Sequence, residues 1–168
     1  DAVEPADHRA DLVRQATDGL PVTVHVADGR DSGLAPGYDR ILVDAPCTGL
    51  GSLRRRPEAR WRRTPGDVAP LVELQRELLT AAVGLLRPGG ALVYSTCSPH
   101  PAETRGVVEA VVAETGARLL DARPLVGVDA GDGPLEGTVQ LWPHRHGTDA
   151  MFLALLTVPV PDGAAKPS

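Results

Sequence analysis

The sequence predicts an α/β protein built on a mostly parallel sheet with helices on both faces. Three observations predict it. Apolar, β-branched runs alternate along the chain with segments of helical periodicity. The run Ile41-Leu42-Val43 is continuously apolar, the mark of a strand covered on both faces. Asp28, Asp44, Cys47 and Cys97 fall at or just after the ends of strand-like runs. Sites in open α/β sheets lie there, outside the carboxyl ends of the strands.

Each element has its own signal. Residues 6–17 carry Ala10, Leu12, Val13 and Ala16 at helical spacing and stop at Asp18-Gly19. Residues 22–27 (VTVHVA) alternate and are β-branched, as in a strand. Residues 39–45 form the next strand, and 49–66 an arginine-rich loop. The longest helical pattern begins at Asp67, a plausible N-cap. It keeps Leu71, Leu74, Leu78, Leu79, Val83 and Leu86 in register and stops at Pro88-Gly89-Gly90. Residues 91–96 are a strand, 102–115 a helix, 117–122 a strand and 151–158 a last strand. Residues 138–143 read as a strand facing the last one.

The totals bound the class. A chain of 168 residues is one domain by length. Aromatics make up 3%, so the core must be aliphatic. The 18 glycines and 16 prolines imply many turns. A net charge of -5 argues against a generally basic nucleic-acid binder but leaves room for a local basic patch. No run of apolar residues is long enough for a membrane-spanning helix. The first residues, DAVEPADHR, lack the basic and apolar regions of a signal peptide. The two cysteines form no Cys-x-x-Cys, which argues against a zinc ribbon or a disulfide scaffold. The cytoplasm is the expected compartment. Residues 1–158 are expected to form the domain and 159–168 a disordered tail.

The two thiols invite several readings. Each could be a small buried hydrophobe, the usual fate of a free cysteine. They could form a disulfide, which the cytosol disfavours. A cysteine hydrolase would need a histidine partner, and His100 is near Cys97 in sequence. Against simple burial, both thiols sit in polar, turn-like strings, DAPCTG and STCS. Asp28 and Asp44 could be turn or cap carboxylates, the commoner role of Asp in loops, and for Asp28, followed by Gly29, the two readings weigh equally. The string RRRPEARWRR (54–63) is a local reversal in an acidic chain. Arginine grips phosphate bidentately and tryptophan stacks on a base, so Arg54, Arg55, Arg56, Arg60 and Trp61 point to RNA or DNA rather than to a solvated loop. The five histidines show no metal-ligand spacing, and no metal is expected.

The strings DAPCTGLGSLRRRPEARW and LQRELLTAAVGLLRPGGALVYSTCSPHPAET, in this order, closely resemble the RNA cytosine-C5 methyltransferase family. The nearest look is the ribosomal small-subunit methyltransferase B (Sun/Fmu) group, and the resemblance runs from about residue 2 to 156. It implies a Rossmann-like fold dependent on S-adenosylmethionine. It also implies the roles. Cys97 would add to C6 of cytosine, Cys47 would help release the methylated product, and Asp44 would hydrogen-bond the N3 edge. Glu4 would meet the ribose hydroxyls of S-adenosylmethionine and Asp28 its adenine; Arg9 and Asp44 count among the cofactor contacts. RNA, ribosomal RNA above all, would be the partner.

The chemistry suits these residue types. A thiolate added at C6 turns C5 into an enamine-like nucleophile, and the thiolate is the active form. The target base would leave its stack. The chain departs from the family in three places. It lacks the first strand, normally central, together with the glycine-rich loop that follows it. GTDAMFLALL stands for the usual Asp-Gly-Phe-Phe, and Thr104 for an Asn. The expectation is part of a catalytic domain. The alternative of another class is a non-catalytic RNA-binding remnant.

Overall fold

The structure, a computed structural model, describes residues 1–127 and 133–161. Residues 162–168 of the expected tail lie outside the described residues. In chain order the elements are β1 (Ala2–Val3), α1 (Asp7–Ala16), β2 (Val24–His25), β3 (Tyr38–Asp44), α2 (Ala59–Arg62), α3 (Val68–Leu85) and β4 (Leu86–Thr96). Then follow α4 (Arg105–Thr115), β5 (Arg118–Leu120), α5 (Arg123–Val126), β6 (Val139–Gln140), α6 (Pro143–His146) and β7 (Phe152–Thr157).

The main sheet has the order β3-β4-β7-β5, with β6 also paired to β7. β3 and β4 are parallel, in the register Ile41↔Leu92 through Asp44↔Ser95. β7 runs antiparallel to β4, β5 and β6, so the sheet is parallel at β3–β4, where the thiols emerge, and antiparallel at its other described pairings, which leaves it less parallel than expected. β1 and β2 form a separate parallel pair. Among the described residues no strand pairing joins β1 or β2 to the main sheet. The Tyr38 hydroxyl donates to Asp1 Oδ2 at 2.7 Å and ties the two sheets at that seam.

Alternation along the strands divides the core. Leu92, Tyr94, Phe152, Ala154 and Leu156 face α3 and α4, where Leu79, Val83, Val107, Val108 and Val111 meet them. Tyr94 and Phe152 pack edge-to-face at 6.2 Å. The intervening residues Ala91, Val93, Leu153 and Leu155 point the other way and meet Val126 of α5 and Val139 of β6. Helices therefore cover both faces unequally: the two long ones share one face, and among the described residues the other has short cover, over β4 and β7.

This corrects the reading of β3 as covered on both faces. Ile41 and Val43 pack into the main core. Leu42, beside Val93 on the opposite face, is 68% exposed. A continuous apolar run reports what a strand can tolerate, and only the neighbours decide whether both faces are covered. β2 is also shorter than expected.

Two boundaries differ for local reasons. Asp67 does not cap α3 as an N-cap. Thr64 caps a preceding 3-10 turn (Pro65–Asp67), and Asp67 accepts back from the Thr64 N–H at 2.8 Å, a capping box. Pro88-Gly89-Gly90 ends the helical pattern, but β4 already begins at Leu86. Pairing with β3 shifts register between Tyr38 and Arg40, and Gly89 at φ 74° turns that irregular segment. The arginine-rich stretch is not one open loop but two 3-10 turns and α2.

Leu79 is fully buried at the centre of the α3 face. Leu79→Ala should lower unfolding free energy by about 2–5 kcal/mol, the usual cost of such a cavity. Urea unfolding followed by circular dichroism measures it, and a loss below 1 kcal/mol would contradict this packing.

Candidate active site

Each thiol stands on a loop that leaves the carboxyl end of a strand. Cys47 follows β3 by three residues and Cys97 follows β4 by one. Since the strands are adjacent and parallel, the loops leave side by side. The Ala45 N–H still donates to the Ser95 carbonyl at 3.0 Å, so the ladder runs to within two residues of both cysteines. The two Sγ atoms lie 3.4 Å apart, and both residues are half-buried. They are free thiols in contact, reachable from solvent, not core hydrophobes.

The contact polarises the pair. The hydrogen bond from Cys47 holds Cys97 below the usual thiol range, against burial and the charge of Asp44. The same contact and burial push the Cys47 thiol up. These directions favour the thiolate at Cys97, with Cys47 as its S–H donor.

Several groups that the sequence reading left aside hold these loops. The buried Glu103 carboxylate accepts from Thr48, Ser98 and Gln75. Gln75 Nε2 also donates to the Pro46 carbonyl at 2.8 Å, and Arg63 Nε to the Thr48 carbonyl at 3.1 Å. The Gly51 N–H donates to the Cys97 carbonyl, and the Gly51 carbonyl accepts from Ala150 N–H, both at 2.9 Å. A Cβ at Gly51 would lie 2.2 Å from the Ala150 carbonyl oxygen, so only glycine permits this approach. Gln75 left a visible trace: it interrupts the apolar stripe of α3, four residues before Leu79. Nothing in the local sequence marks Glu103 as buried.

The other expected site residues are divided. Asp44 ends β3, is exposed, and is close enough to act on the charge of Cys97. Glu4 and Asp28 follow β1 and β2, and the Glu4 N–H donates to the His25 carbonyl at 3.1 Å. None of their hydrogen bonds reaches the thiols. Arg9 grips Glu4 Oε1 through Nε at 2.8 Å and NH2 at 2.6 Å, and the Ala6 N–H donates to the same atom. Arg30 holds both oxygens of Asp28, whose pKa falls to about 2 for that reason. His100 Nδ1 accepts from the Ala102 N–H at 3.2 Å and caps its own turn, and no described hydrogen bond joins it to Cys97, as the hydrolase reading would want.

The arginine cluster also divides. Arg54 and Arg55 bind the buried carboxylate of Asp149, Arg54 Nε at 3.1 Å and Arg55 Nε at 2.9 Å. Both stay exposed, but this tie is a structural one. No described hydrogen bond or ion pair uses the guanidinium of Arg56 or Arg60, and Trp61 is 85% exposed. Among the described residues no group of three or more His, Cys, Asp or Glu side chains could hold a metal, and no helix is long and apolar enough to cross a membrane.

The ion pairs fix a pH dependence. Arg55, then Arg54, hold Asp149 below the ordinary carboxylate range. A depressed carboxylate contributes stability that is fully present above its unfolded pKa, about 3.9, and lost as pH falls through the folded value. Asp149→Asn should therefore destabilise the chain most at neutral pH. Its deficit against the parent should shrink as pH falls below about 4. Thermal or urea unfolding across pH 3–7 checks this, and a deficit independent of pH would assign the loss to packing.

Comparison with known proteins shows the family. The family model for 16S rRNA methyltransferase RsmB/F matches residues 1–157. The chain is 63% identical over 158 residues to the putative methyltransferase Rv1407 of Mycobacterium tuberculosis, covering 92% of this chain and 34% of that one. It is 38% identical over 161 residues to the ribosomal RNA small subunit methyltransferase B of Vibrio cholerae, covering 93% and 35%. The chain thus spans about a third of the length of these relatives. Among solved structures it is similar to PH0851, with TM-score 0.86 and 32% identity over 93% of this chain and 36% of that one. It is also similar to NSun6 from Pyrococcus horikoshii, solved with SFG, an S-adenosylmethionine analogue. There the TM-score is 0.81 and the identity 29%, over 93% and 40%. The fold is the Rossmann-like fold of S-adenosylmethionine-dependent methyltransferases, and the chain belongs to the 16S rRNA methyltransferase RsmB/F family.

Proposed function

We propose that this chain carries the thiol chemistry of an S-adenosylmethionine-dependent methyltransferase that acts on C5 of cytosine in RNA, ribosomal RNA foremost. The observation that carries the reading is the contact between Cys97 and Cys47, two half-buried thiols 3.4 Å apart at adjacent strand ends. A buried hydrophobe or a lone nucleophile needs no second thiol at that distance. A reaction that first adds a thiolate to the base and later expels it has a use for both.

The cofactor site rests on this chain's own acids. Glu4 accepts its described hydrogen bonds through Oε1 alone. Oε2 is left to accept from a ribose hydroxyl, so the residue fits the role. Asp28 follows β2, the strand paired with β1, by three residues, and Arg9 holds the Glu4 carboxylate in place. When bound, S-adenosylmethionine would supply an electrophilic methyl on a sulfonium.

The chain's residues would then act as follows. Cys97 adds as thiolate to C6, forming the S–C6 bond and moving the C5=C6 electron pair to C5. Asp44 meets the N3 edge, where charge accumulates. Once C5 is methylated, its proton passes to solvent water at the half-open site, the C5–H electron pair re-forms C5=C6, and the S–C6 bond breaks with its pair returning to sulfur. Cys47, already in contact with the departing sulfur, assists that release and again donates to the Cys97 thiolate. Outside the pair, Arg56, Arg60 and Trp61 remain for the RNA backbone and a base face. Arg54 and Arg55 contribute charge to the same surface while held by Asp149.

Three outcomes test this. Cys97→Ser should abolish methyl transfer to small-subunit ribosomal RNA, and full activity in that variant would refute the nucleophile assignment. Cys47→Ser should accumulate a denaturant-resistant protein–RNA band on a gel, while an active variant with no such band would remove the release role. In RNA titrations, Arg56→Ala with Arg60→Ala should flatten the dependence of log K on log[salt] by about one unit per lost phosphate contact. An unchanged slope would leave these arginines as solvated surface. A remnant that only binds RNA would show the salt effect and no transfer.

A further inference from the structure

Glu103 is fully buried, carries a formal charge, and takes no part in the chemistry just described. Its surroundings say why it is there. Oε1 accepts from the Thr48 N–H at 2.7 Å and from Gln75 Nε2 at 3.1 Å. Oε2 accepts from the Thr48 and Ser98 hydroxyls, each at 2.6 Å. Four donors fill the lone-pair sites of one carboxylate. Burial by itself would raise the pKa of Glu103, but the bonds from Ser98, Thr48 and Gln75 outweigh it and hold the group ionised. Each hydroxyl has a single proton, and each is spent on Glu103, so the 3.2 Å approach of Thr48 Oγ1 to Ser98 Oγ is a consequence of sharing one acceptor.

The partners matter by position. Thr48 is the residue after Cys47, and Ser98 is the residue after Cys97. Gln75 donates its second amide proton to the carbonyl of Pro46, the residue before Cys47. The main chain of Glu103 is anchored as well, since its carbonyl accepts from the buried Tyr94 hydroxyl at 2.9 Å. The carboxylate thus reaches both thiol loops from a fixed point at the start of α4, with α3 as a third support.

We propose that Glu103 is a positioning residue for the thiol pair: one buried carboxylate ties the loop of Cys47 to the loop of Cys97 and thereby keeps the two sulfurs in contact. The inference rests on the two-thiol reading above and deepens it. Charge adds to geometry, because a buried anion on this side also disfavours a thiolate at Cys47. Glu103→Gln keeps the size but presents an NH2 to groups that are themselves donors. At least one tie is lost, and with it the close approach that lets Cys47 stabilise the Cys97 thiolate.

Iodoacetamide alkylation, with each cysteine quantified by peptide mass spectrometry across pH 5–9, reads this without RNA, cofactor or turnover. The parent chain should label Cys97 at least about tenfold faster than Cys47 near neutral pH, as expected when only one thiol is depressed. In Glu103→Gln, with native circular dichroism, that preference should fall at least fivefold, and the pH midpoint for Cys97 labelling should move up. Thr48→Val, nearly isosteric, removes one of the four bonds and should lower the preference at least twofold; it decides the matter if Glu103→Gln does not fold. An unchanged preference and midpoint in the folded Glu103→Gln, or in Thr48→Val when it alone folds, overturns the inference and leaves the thiol pair standing. Equal labelling of both cysteines in the parent overturns the polarised pair itself, and this inference with it.

Discussion

The register of β3 against β4 is the constraint on which the site depends. Asp44 pairs with Ser95, and the ladder continues to Ala45. Two loops that leave adjacent parallel strands at one level run side by side, and their first side chains must meet or be held apart. A slip of β3 by one residue would turn Leu42 onto the α3 face and carry the thiols to different heights. That register is enforced from below by the packing of Ile41, Val43, Leu92 and Tyr94 on α3 and α4. The core and the chemistry share these strands, so the aliphatic packing that stabilises the sheet also sets the sulfur–sulfur distance.

Above the sheet, polar contacts take over from apolar ones. The loops of Cys47 and Cys97 are short of apolar side chains and are held by hydrogen bonds to Glu103, Gln75, Arg63 and Gly51. Buried networks of this kind are costly when incomplete and rigid when complete. Here the carboxylate is fully satisfied, and the cost falls on Gln75, whose buried Oε1 has no partner among the described residues. The site can therefore hold two thiols at contact distance while leaving them half-exposed, which a purely apolar enclosure would not allow.

The arginine cluster shows how one composition serves two ends. Asp149, just before β7, recruits Arg54 and Arg55 and pins the loop that follows Gly51 over the sheet edge. Arg56, Arg60 and Trp61 are then carried outward. A run of like charges would otherwise repel itself into disorder, and a single buried carboxylate gives it a fixed root.

The sequence by itself determined the alternation of strands and helices, because apolar periodicity is local and survives without context. It also placed both cysteines, Asp44, Glu4 and Asp28 at or just after strand ends, and the resemblance of DAPCTG and STCS to one family implied roles for Asp44 and the cysteines. Tertiary structure decided what depends on distant neighbours. Leu42 is bare, although it sits in a run that reads as covered, since cover comes from other elements. Arg54 and Arg55 belong to Asp149, about 95 positions away along the chain. The buried ionised Glu103 could not be read locally, because its stability comes from donors on three separate segments that only the folded sheet brings to one carboxylate.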